Sequence, residues 1–143
     1  MTTYRPISAL LVAAAAAASL VAVLVVVAVA LPAEVRAQFS IAEDVTMAIF
    51  LLAALAVLYG IGRTRVSTDD DGIHILNGYR HHHLTWAEVV HVGMGRGAPW
   101  AVLDTSHGTT VQLMAIQRAD GERAVAALRE LRAQLDRHSP RDH

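Results

Sequence analysis

Cysteine and lysine are both absent from the 143 residues. Without a thiol there is no disulfide framework and no thiolate metal site. Without lysine, every fixed side-chain cation is an arginine. Charge is also scarce: 17% of residues are charged and 54% are hydrophobic, and nearly all of the hydrophobic excess lies before residue 63. Residues 63–143 carry ten arginines against ten aspartates plus glutamates. A segment of near-zero net charge lacks the clustered positive charge that nucleic acid requires, which argues against that partner.

What the first part has instead is two long uncharged runs. Ile7 to Leu31 holds only Ser8 and Ser19 as polar residues. Its 25 residues would make a helix of about 37 Å, enough to cross a hydrocarbon core of about 30 Å with tilt. Pro32 helps to end it. Val45 to Gly62, bracketed by Asp44 and Arg63, is a second run of 18 residues, just long enough to cross. A cleaved signal sequence has an apolar stretch of about 7–15 residues. The first run is far longer and a second follows it, so both are expected to be retained as transmembrane helices, about 7–31 and 45–62.

Arginine bias sets the expected orientation. Arg5 precedes the first run, and Arg63 and Arg65 follow the second. The loop between them holds Arg36 against Glu34, Glu43 and Asp44. The loop is therefore expected outside, with both termini cytoplasmic in a multi-pass cell-membrane protein. Ala14, Ala18 and Ala22 on one helix, and Ala56 and Gly60 on the other, suggest an antiparallel hairpin with small residues at the contact. Neither run contains an ionisable group of the kind that marks a transport path, which argues against a transporter.

After Arg65 the hydrophobic period changes to two. Val66–Thr68, Ile73–Leu76, Tyr79–Trp86, Val89–Met94, Trp100–Leu103 and Thr109–Met114 are strand candidates. Asp69-Asp70-Asp71-Gly72, Asn77-Gly78, Gly95–Pro99 and Ser106-His107-Gly108 are the turns between them. Val90, Val92 and Met94 are expected on one face. A helical period follows, with Val125, Leu128, Leu131 and Leu135 on the core side, Asp120 as N-cap and Ser139-Pro140 as the stop. The helix, with Trp86 and Trp100 buried, is expected to cover a small curved sheet that cannot bury its apolar face alone.

Several residues here resemble a known family. They are Arg65-Val66, Asp71-Gly72, Asn77-Gly78, Trp86-Ala87-Glu88, Gly97-Ala98-Pro99-Trp100, Gly108-Thr109-Thr110-Val111 and Asp120-Gly121-Glu122-Arg123-Ala124. Their order and spacing resemble the bacterial pleckstrin-homology (PH) domain of actinobacterial membrane proteins called low-molecular-weight protein antigen 6. The resemblance covers Arg63 to about Leu135. It departs from the family at His81-His82-His83, where arginine-rich sequence is expected, and at Thr85, where proline usually precedes the tryptophan. It implies an α+β chain: a two-helix transmembrane hairpin, then a small PH-like antiparallel β-barrel or sandwich with a C-terminal amphipathic helix. The divisions are 1–62 for tail and helices, 63–138 for the PH-like domain and 139–143 for a tail. It implies no catalytic residues and no cofactor.

Candidate chemistry is sparse. Three carboxylates in the first turn, Asp69 to Asp71, would repel a phosphate head group, and the calcium-loop pattern wants a Glu where Gly78 stands. Gly95-Arg96-Gly97 is expected to be a strand connection, and Glu88 a surface residue. The histidines are more individual. An Asn77-Gly78 two-residue loop would set Leu76 against Tyr79, Ile75 against Arg80 and His74 against His81, with His83 on the same face. Three imidazoles are the minimum for zinc, so His74, His81 and His83 are the alternative metal ligands, or a proton-sensitive patch. With no carboxylate expected beside them to orient the rings, a solvated face and no metal is the favoured expectation. The chain is thus expected to be a non-enzymatic membrane-anchored module. Its partners would be the bilayer, through two helices, and a protein or membrane complex, with a histidine-rich metal-binding or pH-sensing protein as the alternative.

Overall fold

The computed structural model describes residues 1–139; of the expected tail 139–143, residues 140–143 lie outside the described residues. Two units make up the chain: Ala9–Gly62, and Met1–Ser8 together with the chain from Arg63 onward.

The first unit is helical, with α1 (Ile7–Ala30) entering it, α2 (Ala33–Arg36) and α3 (Ile41–Gly62). Both α1 and α3 are long and apolar enough to cross a membrane. α3 begins at Ile41, four residues before the uncharged run, because Ser40 and Glu43 form a capping box. The Ser40 backbone N–H donates to Glu43 Oε2 at 2.7 Å, and the Glu43 N–H donates to Ser40 Oγ at 3.3 Å. The expected small-residue rows are displaced. Ala14, Ala18, Ala22 and Ala56 are exposed, whereas Ala13 and Gly60 are buried and Ala17, Leu20, Leu24, Leu51, Ala54, Leu55 and Leu58 are half-buried.

The other unit contains seven strands and one long helix among the described residues. β1 (Thr2–Tyr4), β2 (Arg65–Thr68), β3 (Gly72–Asn77) and β4 (Arg80–Thr85) form one antiparallel sheet in that order. β5 (Val89–Gly93), β6 (Trp100–Thr105) and β7 (Thr110–Gln117) form the second, and α4 (Glu122–His138) packs on β5 and β7. The two sheets form an open sandwich and do not close into a barrel. One core joins them: Ile73 and Ile75 from the first sheet, Leu103, Leu113 and Ile116 from the second, Trp86 between, and Leu131 from the helix. Burying each such side chain stabilises the fold by roughly 1.5–3 kcal/mol. Asn77 fastens the sheets at one point, donating from Nδ2 to the Gln112 carbonyl at 2.7 Å and accepting the Met114 N–H at Oδ1.

Several expectations are corrected. The tail assigned to the helices is a strand: Thr2 pairs with Thr68 and Tyr4 with Val66. A bulge between Val89 and His91 turns Val90 outward, 61% exposed, so Val89 and Val92 face the core. Trp86 is buried, but in a 3-10 turn (Trp86–Glu88) beyond the end of β4, and Trp100 is only half-buried. On α4, Ala124, Leu128, Leu131 and Leu135 face the core while Val125 is exposed. Gly121 is the N-cap of α4, with φ 57°, and Asp120 does not cap it. Finally, the β3–β4 loop is Gly78-Tyr79. Asn77 pairs with Arg80, Leu76 with His81, Ile75 with His82 and His74 with His83. Gly78 takes the positive φ of 62°, as the first loop position of a type II′ turn requires. Asn77 stays extended because its side chain is held by β7.

Candidate functional site

The histidine face is built by β3 and β4. His74, His81 and His83 do share a face, as alternation dictates, but the observed register opposes His74 to His83 and His81 to Leu76. The His74 and His83 rings stack, with centroids 4.2 Å apart and planes 13° from parallel. Contrary to expectation, a carboxylate stands beside them: Asp69 Oδ2 lies 2.8 Å from His74 Nε2. Asp69 Oδ1 also accepts the N–H groups of Asp71 and Gly72, closing the first turn. The hydrogen bond from His74, then the backbone N–H groups, hold the Asp69 carboxyl below its ordinary range. Stacked rings direct their nitrogens edgewise and not at a common point. Among the described residues, no three His, Asp or Glu side chains are arranged to hold a metal ion.

The other motifs have structural tasks. Arg118 donates from Nε to the Ala98 carbonyl at 2.8 Å and from Nη2 to the Gly95 carbonyl at 2.6 Å. The Gly95–Ala98 loop thus turns carbonyls toward a cation, which is the opposite of an anion cradle. Glu88 closes a capping box: Oε2 accepts both the N–H and the hydroxyl of Thr85 at 2.8 Å. These bonds lower the Glu88 carboxyl below its usual value. The signal was present in the sequence, since Thr85-Trp86-Ala87-Glu88 fits the box pattern.

Sequence reasoning missed a third location. Register separates the charges of the first sheet. β2 leaves Arg63-Thr64 and runs to Thr68, β3 returns to set Leu76 against Arg65, and β1 sets Tyr4 against Val66. Arg5, Arg63, Arg65, Tyr79 and Arg80 therefore gather at the end of the sheet where the chain passes to α1 and from α3. Asp69, Asp70 and Asp71 occupy the opposite end. The Arg63 guanidinium carbon sits 5.4 Å over the exposed Tyr79 ring, a cation–π contact. Beside this end a cavity of about 470 Å³ opens, lined by Tyr4, Arg5, Ile7, Asp120, Arg123 and Ala127 among others. Asp120 Oδ1 accepts the Ser8 backbone N–H at 2.8 Å, tying the first turn of α1 to the approach of α4. Ser8 Oγ is buried with no hydrogen-bond partner. Tyr4 is raised above its ordinary value, first by burial and then by the Glu130 charge.

A family model described as a bacterial PH domain matches residues 63–134. Curated relatives include uncharacterized proteins from two strains of Mycobacterium tuberculosis and one of Mycobacterium bovis, each 36% identical over 103 residues, covering 71% of this chain and 66% of the relative. The chain thus spans just under two thirds of the length of those relatives. No solved structure matches it.

Proposed function

We propose, from the premise that this chain belongs to the bacterial PH domain family, that it is a membrane-anchored, non-catalytic module. In this reading it presents a protein-interaction surface at the cytoplasmic face of the cell membrane. Its subgroup would be that of low-molecular-weight protein antigen 6. The observation that carries the reading is the pairing of β1 with β2. A tail and a domain hydrogen-bonded to each other lie on one side of any bilayer that α1 and α3 cross. That supports an even number of crossings, and the arginines at both chain exits favour the cytoplasmic side.

A reporter active only in the cytoplasm should work when fused before Met1 and after His143. Activity of a periplasm-specific reporter at either end would overturn the orientation. For the partner, the full chain is tagged and recovered in mild detergent with mass spectrometry. Repeated recovery of the protein alone would count against an interaction module.

One observation bears on the alternative reading, a histidine-rich pH-sensing or metal-binding membrane protein, and it favours the proton over the metal. The His74 and His83 rings lie parallel with centroids 4.2 Å apart, so two positive charges placed there would repel. Titration calorimetry with zinc separates the two forms of this reading. Submicromolar affinity lost on His83→Ala would support the metal, and no heat would leave only the proton.

A further inference from the structure

We propose that the cavity between the N-terminal tail and α4 binds the phosphate of an anionic glycerophospholipid, gripped by Arg5 and Arg123. This deepens the membrane-anchored reading and rests on it. Depth is the first argument. Ile7, which lines the cavity, is the first residue of the charge-free α1. With α1 in the membrane, the cavity stands at the level of the head groups, where a free soluble anion has no advantage over a lipid.

Chemistry is the second. A guanidinium presents a planar fork of donors that matches phosphate oxygens, and two guanidiniums line this cavity. Its single lining carboxylate, Asp120, already accepts the Ser8 N–H, so the lining keeps a net positive charge. Ile7, Ala115 and Ala127 offer apolar wall for the glycerol and the start of the acyl chains. The third argument is the polarity of the adjoining sheet. Arg63, Arg65 and Arg80 lie at this same end, with Tyr79 56% exposed beside them, and tyrosine favours the membrane–water interface. The aspartates of the first turn are a strand's length away, where they would not repel the lipid. This site is therefore distinct from that acidic turn, and it is incomplete without the tail, which supplies Arg5.

The test uses the full chain. Alkaline carbonate extraction of membranes comes first: a chain that extracts has no anchor, and the membrane reading itself fails. For an inserted chain, native mass spectrometry in mild detergent compares phosphatidylglycerol with phosphatidylcholine of the same acyl chains. Preferential retention of phosphatidylglycerol is expected. Arg5→Gln with Arg123→Gln should weaken it about 25-fold, from a contribution of roughly fivefold per arginine. Arg96→Gln with Arg129→Gln removes the same charge elsewhere and should change retention less than about twofold. Arg5→Lys with Arg123→Lys keeps the charge but loses the fork, and should fall between, which also guards against misfolding of the glutamine pair. No phosphatidylglycerol preference in an inserted chain, equal loss in both glutamine pairs, or displacement of the lipid by millimolar inorganic phosphate would each overturn the inference.

Discussion

The carboxylate of Asp69 and the imidazole of His74 meet at 2.8 Å, Oδ2 to Nε2. The other carboxylate oxygen closes the first turn, and the Asp69 carbonyl accepts the Trp86 indole N–H at 2.9 Å. One half-buried turn residue thus orients a histidine, fixes a hairpin and anchors the largest side chain of the core.

That arrangement makes stability depend on acid. The Asp69 carboxyl lies below its ordinary 3.8, chiefly through the His74 hydrogen bond, and Glu88 lies below its ordinary 4.5, chiefly through the Thr85 N–H. A depressed carboxyl contributes stability that is complete above its ordinary value and is lost as pH falls through the folded-state value. Asp69→Asn keeps an acceptor for the turn but loses the charge. It should lower the midpoint of thermal unfolding at pH 7, and the difference from the parent should vanish well below pH 3.8. A difference that persists in acid would assign the effect to the turn and not to the charge.

Trp86 should be the costlier tryptophan to lose. It is 5% exposed, donates to Asp69 and stacks on His138 at 4.7 Å, whereas Trp100 is half-buried. Truncating a buried Trp to Ala costs about 3–5 kcal/mol, comparable with the lower end of a small domain's stability. The remaining tryptophan reports unfolding by fluorescence in each variant. A Trp100→Ala variant less stable than Trp86→Ala would contradict the packing described.

Much of this was legible because the chain repeats simple periods. The uncharged runs gave α1 and α3, and spacings of three and four gave Leu128, Leu131 and Leu135 of α4. Other features broke a period locally. One extra residue at the Val89–His91 bulge turned Val90 outward, and no alternation rule signals that. β1 is three residues long, too short to show a period, and only its distant partner β2 reveals it. The cavity at Arg5 and Arg123 was hidden for the same reason, since 118 positions separate its two arginines. The Asn77-Gly78 signal located the hairpin but not its loop, because the Asn77 amide is committed to β7.

β1 should contribute to the fold and not merely precede the first helix. Tyr4 is buried in the core cluster, and its hydroxyl accepts from Gln134 Nε2 at 3.4 Å. Tyr4→Ala leaves a cavity beside Val66 and is expected to cost about 3 kcal/mol or more. Tyr4→Phe keeps the ring and removes only the hydroxyl with its Gln134 and Glu130 hydrogen bonds, so it should cost less, roughly 1–3 kcal/mol. Limited proteolysis of the full chain would show it: Tyr4→Ala should expose β2 to cleavage, and Tyr4→Phe should not. Equal resistance of all three proteins would mean that the tail is dispensable.

The register of the histidine hairpin can be settled with engineered thiols, because the chain has no cysteine to compete. Zinc titration cannot do it, since either register leaves His74, His81 and His83 on one face. Opposition is different. In the observed pairing His74 faces His83, and directly opposed Cβ atoms lie about 4.5–5.5 Å apart, while diagonal neighbours lie about 7–8 Å apart. A disulfide needs about 3.5–4.5 Å between Cβ atoms, which a small shift of the exposed edge strand β4 supplies for the opposed pair only. His74→Cys with His83→Cys should therefore oxidise readily to an intramolecular disulfide, and His74→Cys with His81→Cys should stay reduced under the same mild oxidant. The reverse result would mean that the loop is Asn77-Gly78 after all. It would also dissolve the stacking of His74 on His83.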